Sequence, residues 1–204
     1  MEQSQDREPR FGEQEEDEKR SRGQENLEAK LLDVRVVLAV GPVNDRFFER
    51  VKTRLELLWH KDPNKELTIF VNSPGGSADH GFALYDELRL AGCPVRTVCT
   101  GLCASAAVLI FLGGDKGKRL MLPNARFLLH QPSTTTYGPA SDMEITAKEI
   151  LRTRRRFAEI VAQEIGSQAE KVMQDSNRDF WLEADEALKY GLVDRVIKNR
   201  KELA

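Results

Sequence analysis

The stretch that decides the fold is residues 95–112, which read VRTVCTGLCASAAVLIFL. The β-branched residues over 95–100 predict a buried strand. Ser105 follows among small residues and opens an apolar run that predicts a helix. A serine at this junction either caps the helix or serves chemistry there, because a helix N-terminus presents free N–H groups to negative charge. Taken alone, the capping role is favoured.

Strand and helix patterns alternate on both sides of this stretch. We predict strands over 35–40, 67–71, 119–122 and 126–129, and helices over 44–59, 79–91 and 141–165. Asn44 is suited to cap the first of these helices. Residues 141–144 form a capping box for the last one, and Gly166 ends it. The alternation is typical of an α/β fold.

Composition limits the class of protein. The chain has 204 residues, 40% of them hydrophobic, and a formal net charge of −2, so we expect one sizeable core. The charge argues against a nucleic-acid surface, and no apolar run is long enough for a membrane span. Residues 1–26 are charged, with little to bury and no signal-peptide core. We predict a disordered segment there and a single domain over 27–204.

The three cysteines lie among apolar residues without paired metal spacing, at Cys93, Cys99 and Cys103. We interpret them as buried free thiols in a reducing cytosol rather than as a redox or metal site. No motif predicts a metal or a cofactor.

Two further residues combine with Ser105 into the parts of a serine hydrolase. His130 closes the apolar run over 126–129, and Asp179 precedes the apolar residues 180–182. A serine hydroxyl needs a neighbouring base and a third group that orients the base. His80 is the rival for the base, and Asp175 is the alternative carboxylate.

A glycine turn supplies the remaining component. Gly75 and Gly76 follow the strand over 67–71, and the N–H groups of Gly76 and Ala106 are candidates for an oxyanion hole. The competing interpretation is a plain Pro-Gly turn, which is common in proteins.

Together these residues resemble the ClpP family of self-compartmentalising serine peptidases. The carriers, within 31–199, are GPVN (41–44), NSPGGS (72–77), Ala104-Ser105, KGKR (116–119), LPN (122–124), HQP (130–132), DMEI (142–145), Arg178-Asp179 and YGLVD (190–194). The resemblance implies Ser105 as nucleophile, His130 as general base and Asp179 as its orienting group, with Gly76 and Ala106 as the oxyanion hole.

The resemblance also implies a fold and an assembly. The fold is the ClpP/crotonase-like spiral of ββα units with a projecting helical handle, here about 141–165. Heptameric rings would stack through the handles into a tetradecamer, and an AAA+ unfoldase would feed it unfolded polypeptides. A cytoplasmic location is expected, or an organelle matrix or stroma in a eukaryotic host.

The chain departs from the family around the site. Residues 102–103 and 106–107 change the wall of the substrate pocket, and residues 78–80 place charge near the cleft. Residues 133–139 replace a glycine-rich segment, although their three threonines still favour an extended strand suited to ring pairing.

The surfaces for partners are also altered. The resemblance maps the docking pocket for the unfoldase to Phe70, Val98, Leu120, Leu122 and Ile197, with Thr68 and Thr100 where large apolar residues are usual. Arg178 is the expected contact between rings. Asn177 stands where an acidic partner for that arginine is usual.

Two alternatives remain open. One is a regulatory or weakly active paralogue in a mixed ring with a second ClpP-type subunit. The other is a crotonase-like protein that binds an acyl thioester through paired N–H groups. The basic group at Arg152 and 154–156 is interpreted as a solvated handle face or as ion pairs between subunits, in preference to an anion site.

Overall fold

The computed structural model describes residues 27 and 29–203, so the predicted disordered segment over 1–26 lies outside the described residues. The strands are β1 (Val36–Val40), β2 (Leu67–Ser73), β3 (Val95–Ala104), β4 (Arg119–Met121), β5 (Arg126–Leu129), β6 (Phe180–Leu182) and β7 (Arg195–Val196). The helices that follow β1 are α1 (Asp45–Lys61), α2 (Ala78–Leu90), α3 (Ala106–Leu112), α4 (Ala140–Ile165), α5 (Ala169–Asp175) and α6 (Ala184–Tyr190). A 3₁₀ turn, Arg200–Leu203, follows β7.

The seven strands form one sheet in the order β1-β2-β3-β4-β7, with parallel pairing along that path. β5 pairs parallel with β3 and antiparallel with β6. The first half of β3 therefore pairs with β4 and the second half with β5. The long middle strand serves two parts of the sheet, and this places β5 and β6 beside the end that precedes Ser105.

A bulge bends β3 between these two halves. Cys99 pairs with Val71 and Cys103 with Ser73, so the chain moves four residues along β3 over the same interval in which it moves two along β2. The Asn72 side chain stabilises the bulge, since its Oδ1 accepts a hydrogen bond from the Leu102 amide at 3.0 Å. The sequence pattern predicted that β3 would end at Thr100, but β3 continues to Ala104 because residues 102–104 pair with β5.

Most predicted helix ends are confirmed. The Asn44 side chain accepts from the Phe47 amide at 3.0 Å, and Gly166 ends α4 in the left-handed conformation. The capping box over 141–144 is wrong: α4 begins one residue earlier, with Pro139 at the N-cap and no side-chain cap. The Pro139 carbonyl accepts instead from the amides of residues 142 and 143, so the first turn needs no capping side chain.

The core surrounds α3, whose seven residues are all buried. The handle α4 joins this core only at its C-terminal end, because every side chain over 140–156 is at least partly exposed. A buried ion pair between Arg119 and Glu164 fixes that end, and the Tyr85 hydroxyl donates to Glu164 at 2.6 Å. The three cysteines are buried and free, as predicted.

Candidate active site

Ser105 has a strained backbone. Its φ of 55° and ψ of −126° lie outside the regions that side-chain-bearing residues usually adopt. Its side chain makes no capping hydrogen bond at the N-terminus of α3, so the capping interpretation is wrong. Such strain costs about 1–3 kcal/mol and is concentrated at functional sites. The turn from strand to helix is of the kind that presents a nucleophilic serine above a sheet.

The sheet brings His130 and Asp179 toward this serine. Ala104 pairs with Leu128, and the Ser105 amide donates to the Leu128 carbonyl oxygen at 2.9 Å. Across the antiparallel pair, Leu129 faces Phe180. The next positions outward are His130 and Asp179, which line one open cleft of about 430 Å³ together with residues 131, 177 and 178.

Ser105, His130 and Asp179 directly adjoin the ends of the paired strands β3, β5 and β6. Among the described residues, no hydrogen bond links Ser105, His130 and Asp179 to one another. His130 is half-buried, whereas Asp179 is exposed. In the single chain, the three candidate side chains are therefore not aligned as a hydrogen-bonded triad.

The rival residues are engaged elsewhere. The His80 ring stacks on Phe48 with centroids 4.8 Å apart, and its Nε2 lies 3.5 Å from Asp45 Oδ1. Asp175 accepts from Tyr190 at 2.8 Å and from Lys171 at 2.7 Å. Burial of the Asp175 carboxyl raises its pKa, but these two hydrogen bonds and the lysine charge outweigh burial and leave the pKa below its usual value. This geometry favours His130 and Asp179.

The glycine turn packs directly against the serine. A Cβ atom on Gly75 would lie 2.6 Å from the Ser105 Cβ and 3.1 Å from the Ala106 nitrogen, so only glycine fits there. The Ser73 hydroxyl accepts from the Gly75 amide at 3.1 Å and shapes the turn. In the described part of the chain, neither the Gly76 nor the Ala106 amide has a hydrogen-bond acceptor. Both donors are therefore available beside the serine.

The predicted docking residues form one apolar cluster, separate from the main core. Val98, Leu120 and Ile197 are its buried members, with Phe70, Leu122 and Leu203 packed against them. Thr68 and Thr100 have polar partners: Thr68 Oγ1 accepts from Arg96 at 3.4 Å, and the Thr100 hydroxyl donates to the Val71 carbonyl at 3.3 Å. The sequence analysis missed Leu203, because no pattern showed that the C-terminal turn folds back onto the sheet.

Two predictions concern the handle and the segment before it. Arg152, Arg155 and Arg156 pair with Glu149, Glu159 and Asp86. Because these ion pairs form within one chain, they agree with the prediction that the basic group is a solvated face of the handle. Residues 131–137 have no regular secondary structure, so the extended strand expected over 133–139 does not form within the chain.

Residues 27 and 29–203 offer neither a metal site nor a membrane span. This part of the chain contains no group of three or more histidine, cysteine, aspartate or glutamate side chains placed to hold a metal ion. None of its helices is long and apolar enough to cross a membrane.

Comparisons with known proteins agree with this geometry. A profile of the family described as Clp protease matches residues 19–200. The ATP-dependent Clp protease proteolytic subunit of Porphyromonas gingivalis is 40% identical over 174 residues, covering 85% of this chain and 78% of that protein. The solved structure of a ClpP1 mutant from Listeria monocytogenes matches with a TM-score of 0.81 at 39% identity, covering 87% of this chain and 99% of that one. This likeness confirms the predicted fold class.

Proposed function

The chain belongs to the Clp protease family and is a serine peptidase, and from this premise we propose that Ser105, His130 and Asp179 are its catalytic triad. The observation that carries the proposal is the strained Ser105 backbone, which serves no capping role and is hydrogen-bonded to β5, the strand that ends one residue before His130. Membership in a peptidase family removes the thioester-binding alternative.

The proposed reaction is acyl transfer to the serine. The Ser105 hydroxyl attacks the carbonyl carbon of the peptide bond while His130 takes its proton and then delivers that proton to the leaving amine. Water activated by His130 next attacks the acyl-enzyme and releases Ser105. Asp179 orients the imidazole and stabilises its charged form.

The negative charge on the substrate oxygen needs donors already in place. The Gly76 and Ala106 amides are the proposed oxyanion hole, since the glycine turn packs against Ser105 and both amides lack an acceptor in the described chain. Removing one such donor typically lowers the rate by about 10²–10³.

Assembly is the proposed condition for alignment. In the proposed tetradecamer of two heptameric rings, the exposed N-terminal half of α4 (residues 140–152) and Arg178 contact the opposite ring and bring the cleft residues together. An AAA+ unfoldase would dock on the apolar cluster and supply unfolded polypeptides, in the cytoplasm or in an organelle matrix or stroma. The unjoined triad of the single chain supports this dependence.

The test is active-site titration with a fluorophosphonate probe, read as probe stoichiometry by intact mass. We expect near one probe on each wild-type chain and none on Ser105→Ala. Labelling that survives Ser105→Ala would refute the assignment of the nucleophile. A folded wild-type chain that is labelled only after a second ClpP-type subunit is added would favour the regulatory paralogue.

A further inference from the structure

Arg154 differs from the other arginines of the handle. Its Nη2 donates to the Met173 carbonyl at 3.1 Å and to Asn177 Oδ1 at 3.3 Å. Met173 lies within α5, and Asn177 lies between the end of α5 and Asp179. A guanidinium group is rigid and planar, so one Arg154 side chain connects α4 both to α5 and to the segment that leads to Asp179.

The Arg154 side chain is more enclosed than those of the neighbouring arginines. Arg154 is half-buried, and its Nε is fully enclosed without a hydrogen-bond partner among the described residues. By contrast, Arg152 and Arg155 pair with glutamates of α4 itself, and both are exposed. Arg154 thus connects the handle to the cleft, whereas these two neighbours stabilise only the handle.

Asn177 connects this contact to the histidine. While its side chain accepts from Arg154, its backbone carbonyl accepts from Gln131 Nε2 at 3.1 Å. Gln131 directly follows His130, and Asn177 lies two residues before Asp179. One residue therefore joins the segments that carry the proposed base and its orienting carboxylate, and all four line the same cleft.

We propose that Arg154 is a positioning residue for the triad: acting through Asn177, it sets the separation of Asp179 and His130 and couples the handle to catalysis. The inference rests on the proposed function. The role requires an acceptor oxygen at position 177, which the Asn177 side chain supplies to Arg154. Arg154 itself does not touch the substrate.

The experiment measures kcat and KM of the assembled protein on a short fluorogenic peptide. We compare Arg154→Gln and Asn177→Ala with Arg155→Gln, a control that removes a neighbouring arginine whose partner lies within the handle. A misplacement of about 1 Å can lower a rate by about 100-fold, so we expect kcat to fall by about 10- to 100-fold in both variants. KM should stay within about twofold, since substrate contacts remain. Arg155→Gln should behave as wild type.

A double-mutant cycle separates positioning from general damage. If both residues act through one contact, Arg154→Gln combined with Asn177→Ala should be no slower than the slower single variant. Asn177→Asp, which keeps an acceptor oxygen, should recover most of the kcat lost in Asn177→Ala. Effects that multiply, or a kcat of Arg154→Gln equal to that of Arg155→Gln, would overturn the proposal.

Two controls keep the outcome interpretable. Size-exclusion chromatography and circular dichroism check each variant, and Asn177→Ala, on an exposed segment, provides the test if Arg154→Gln does not assemble. Ser105→Ala distinguishes the two levels of inference. Loss of hydrolysis in Ser105→Ala with full activity in Arg154→Gln and Asn177→Ala would reject the positioning role alone, whereas activity in Ser105→Ala would reject the proposed triad itself.

Discussion

The Ser105 amide and the Leu128 carbonyl oxygen form a hydrogen bond 2.9 Å long. This bond joins the last residue before α3 to the strand that ends beside His130. Because β5 also pairs with β6, one ladder holds the positions of Ser105, His130 and Asp179. The backbone of the site is therefore fixed by the sheet, while its side chains remain free to adjust.

Replacing Asp179 should inactivate the enzyme without unfolding it. In Asp179→Asn the orienting carboxylate is lost, and by analogy with other triads kcat should fall by roughly 10⁴-fold. Asp175→Asn is the matched control, since Asp175 is bonded to Lys171 and Tyr190 outside the cleft. It should retain kcat within about threefold. Peptide hydrolysis by both variants checks this, and a comparable loss in Asp175→Asn would contradict the assignment.

Gly75→Ala should remove activity through a steric clash. The new Cβ would lie 2.5 Å from the Ala104 carbonyl and 2.6 Å from the Ser105 Cβ, at a φ of +84°. We expect a loss of at least about 10²-fold in kcat/KM, comparable to losing an oxyanion donor.

Gly117→Ala is a control that distinguishes the steric clash at position 75 from the strain of an alanine at positive φ. Gly117 has a similar φ of +86° but nothing within 4 Å of an added Cβ. It should lose about 1 kcal/mol of stability and keep its activity. Equal activity in the two variants would show that the packing of Gly75 against the serine is not required.

The Glu164 carboxylate should make stability depend on acidic pH. Burial raises its pKa, but the hydrogen bonds from Tyr85 and Arg119, with the charges of Arg119 and Arg89, hold the pKa below its ordinary 4.5. Because the folded state favours the charged form, this stabilisation is complete above the unfolded pKa and is lost as the pH falls through the folded value. The free energy of unfolding of the wild type, measured with urea, should therefore decrease as the pH falls below about 4.5.

Glu164→Gln should remove most of the dependence of the unfolding free energy on pH in the acidic range. It leaves the Arg119 charge buried without a countercharge, which costs about 3–5 kcal/mol at pH 7. Glu159→Gln removes an exposed pair with Arg155 and should cost at most about 1 kcal/mol. Urea titrations of both variants from pH 3.5 to 7 provide the measurement, and an unchanged slope in Glu164→Gln would contradict the assignment.

The proposed role of the apolar cluster in docking can be tested with an unfoldase. Phe70 is half-buried at the edge of the cluster, so Phe70→Ala should weaken docking more than folding. Losing an apolar contact of about 1.5–3 kcal/mol lowers the affinity for an unfoldase roughly 10- to 100-fold. Degradation driven by the unfoldase should fall while hydrolysis of short peptides persists. Leu188→Ala, which removes an exposed leucine of α6, is the control, and equal effects would refute this docking surface.

Local patterns were sufficient for most of the secondary structure. The helix that begins after Asn44 and the stop at Gly166 were predicted because capping and the left-handed conformation depend on nearest neighbours. The candidate site was predicted as a set of residue types in the order Ser105, His130, Asp179. The capping box over 141–144 failed because the Pro139 carbonyl accepts the amides that define the first turn.

What the sequence determined by itself is the alternation of strands and helices as far as Gly166, the N-cap at Asn44, and which side chains can perform acyl transfer. Those properties follow from periodicity and chemistry within short stretches. Only the tertiary structure decided the bend of β3 at Asn72, the closeness of Gly75 to Ser105, and the contact of Arg154 with Asn177. These depend on atoms far apart in the chain, whose approach is set by the packing of the whole sheet against its helices.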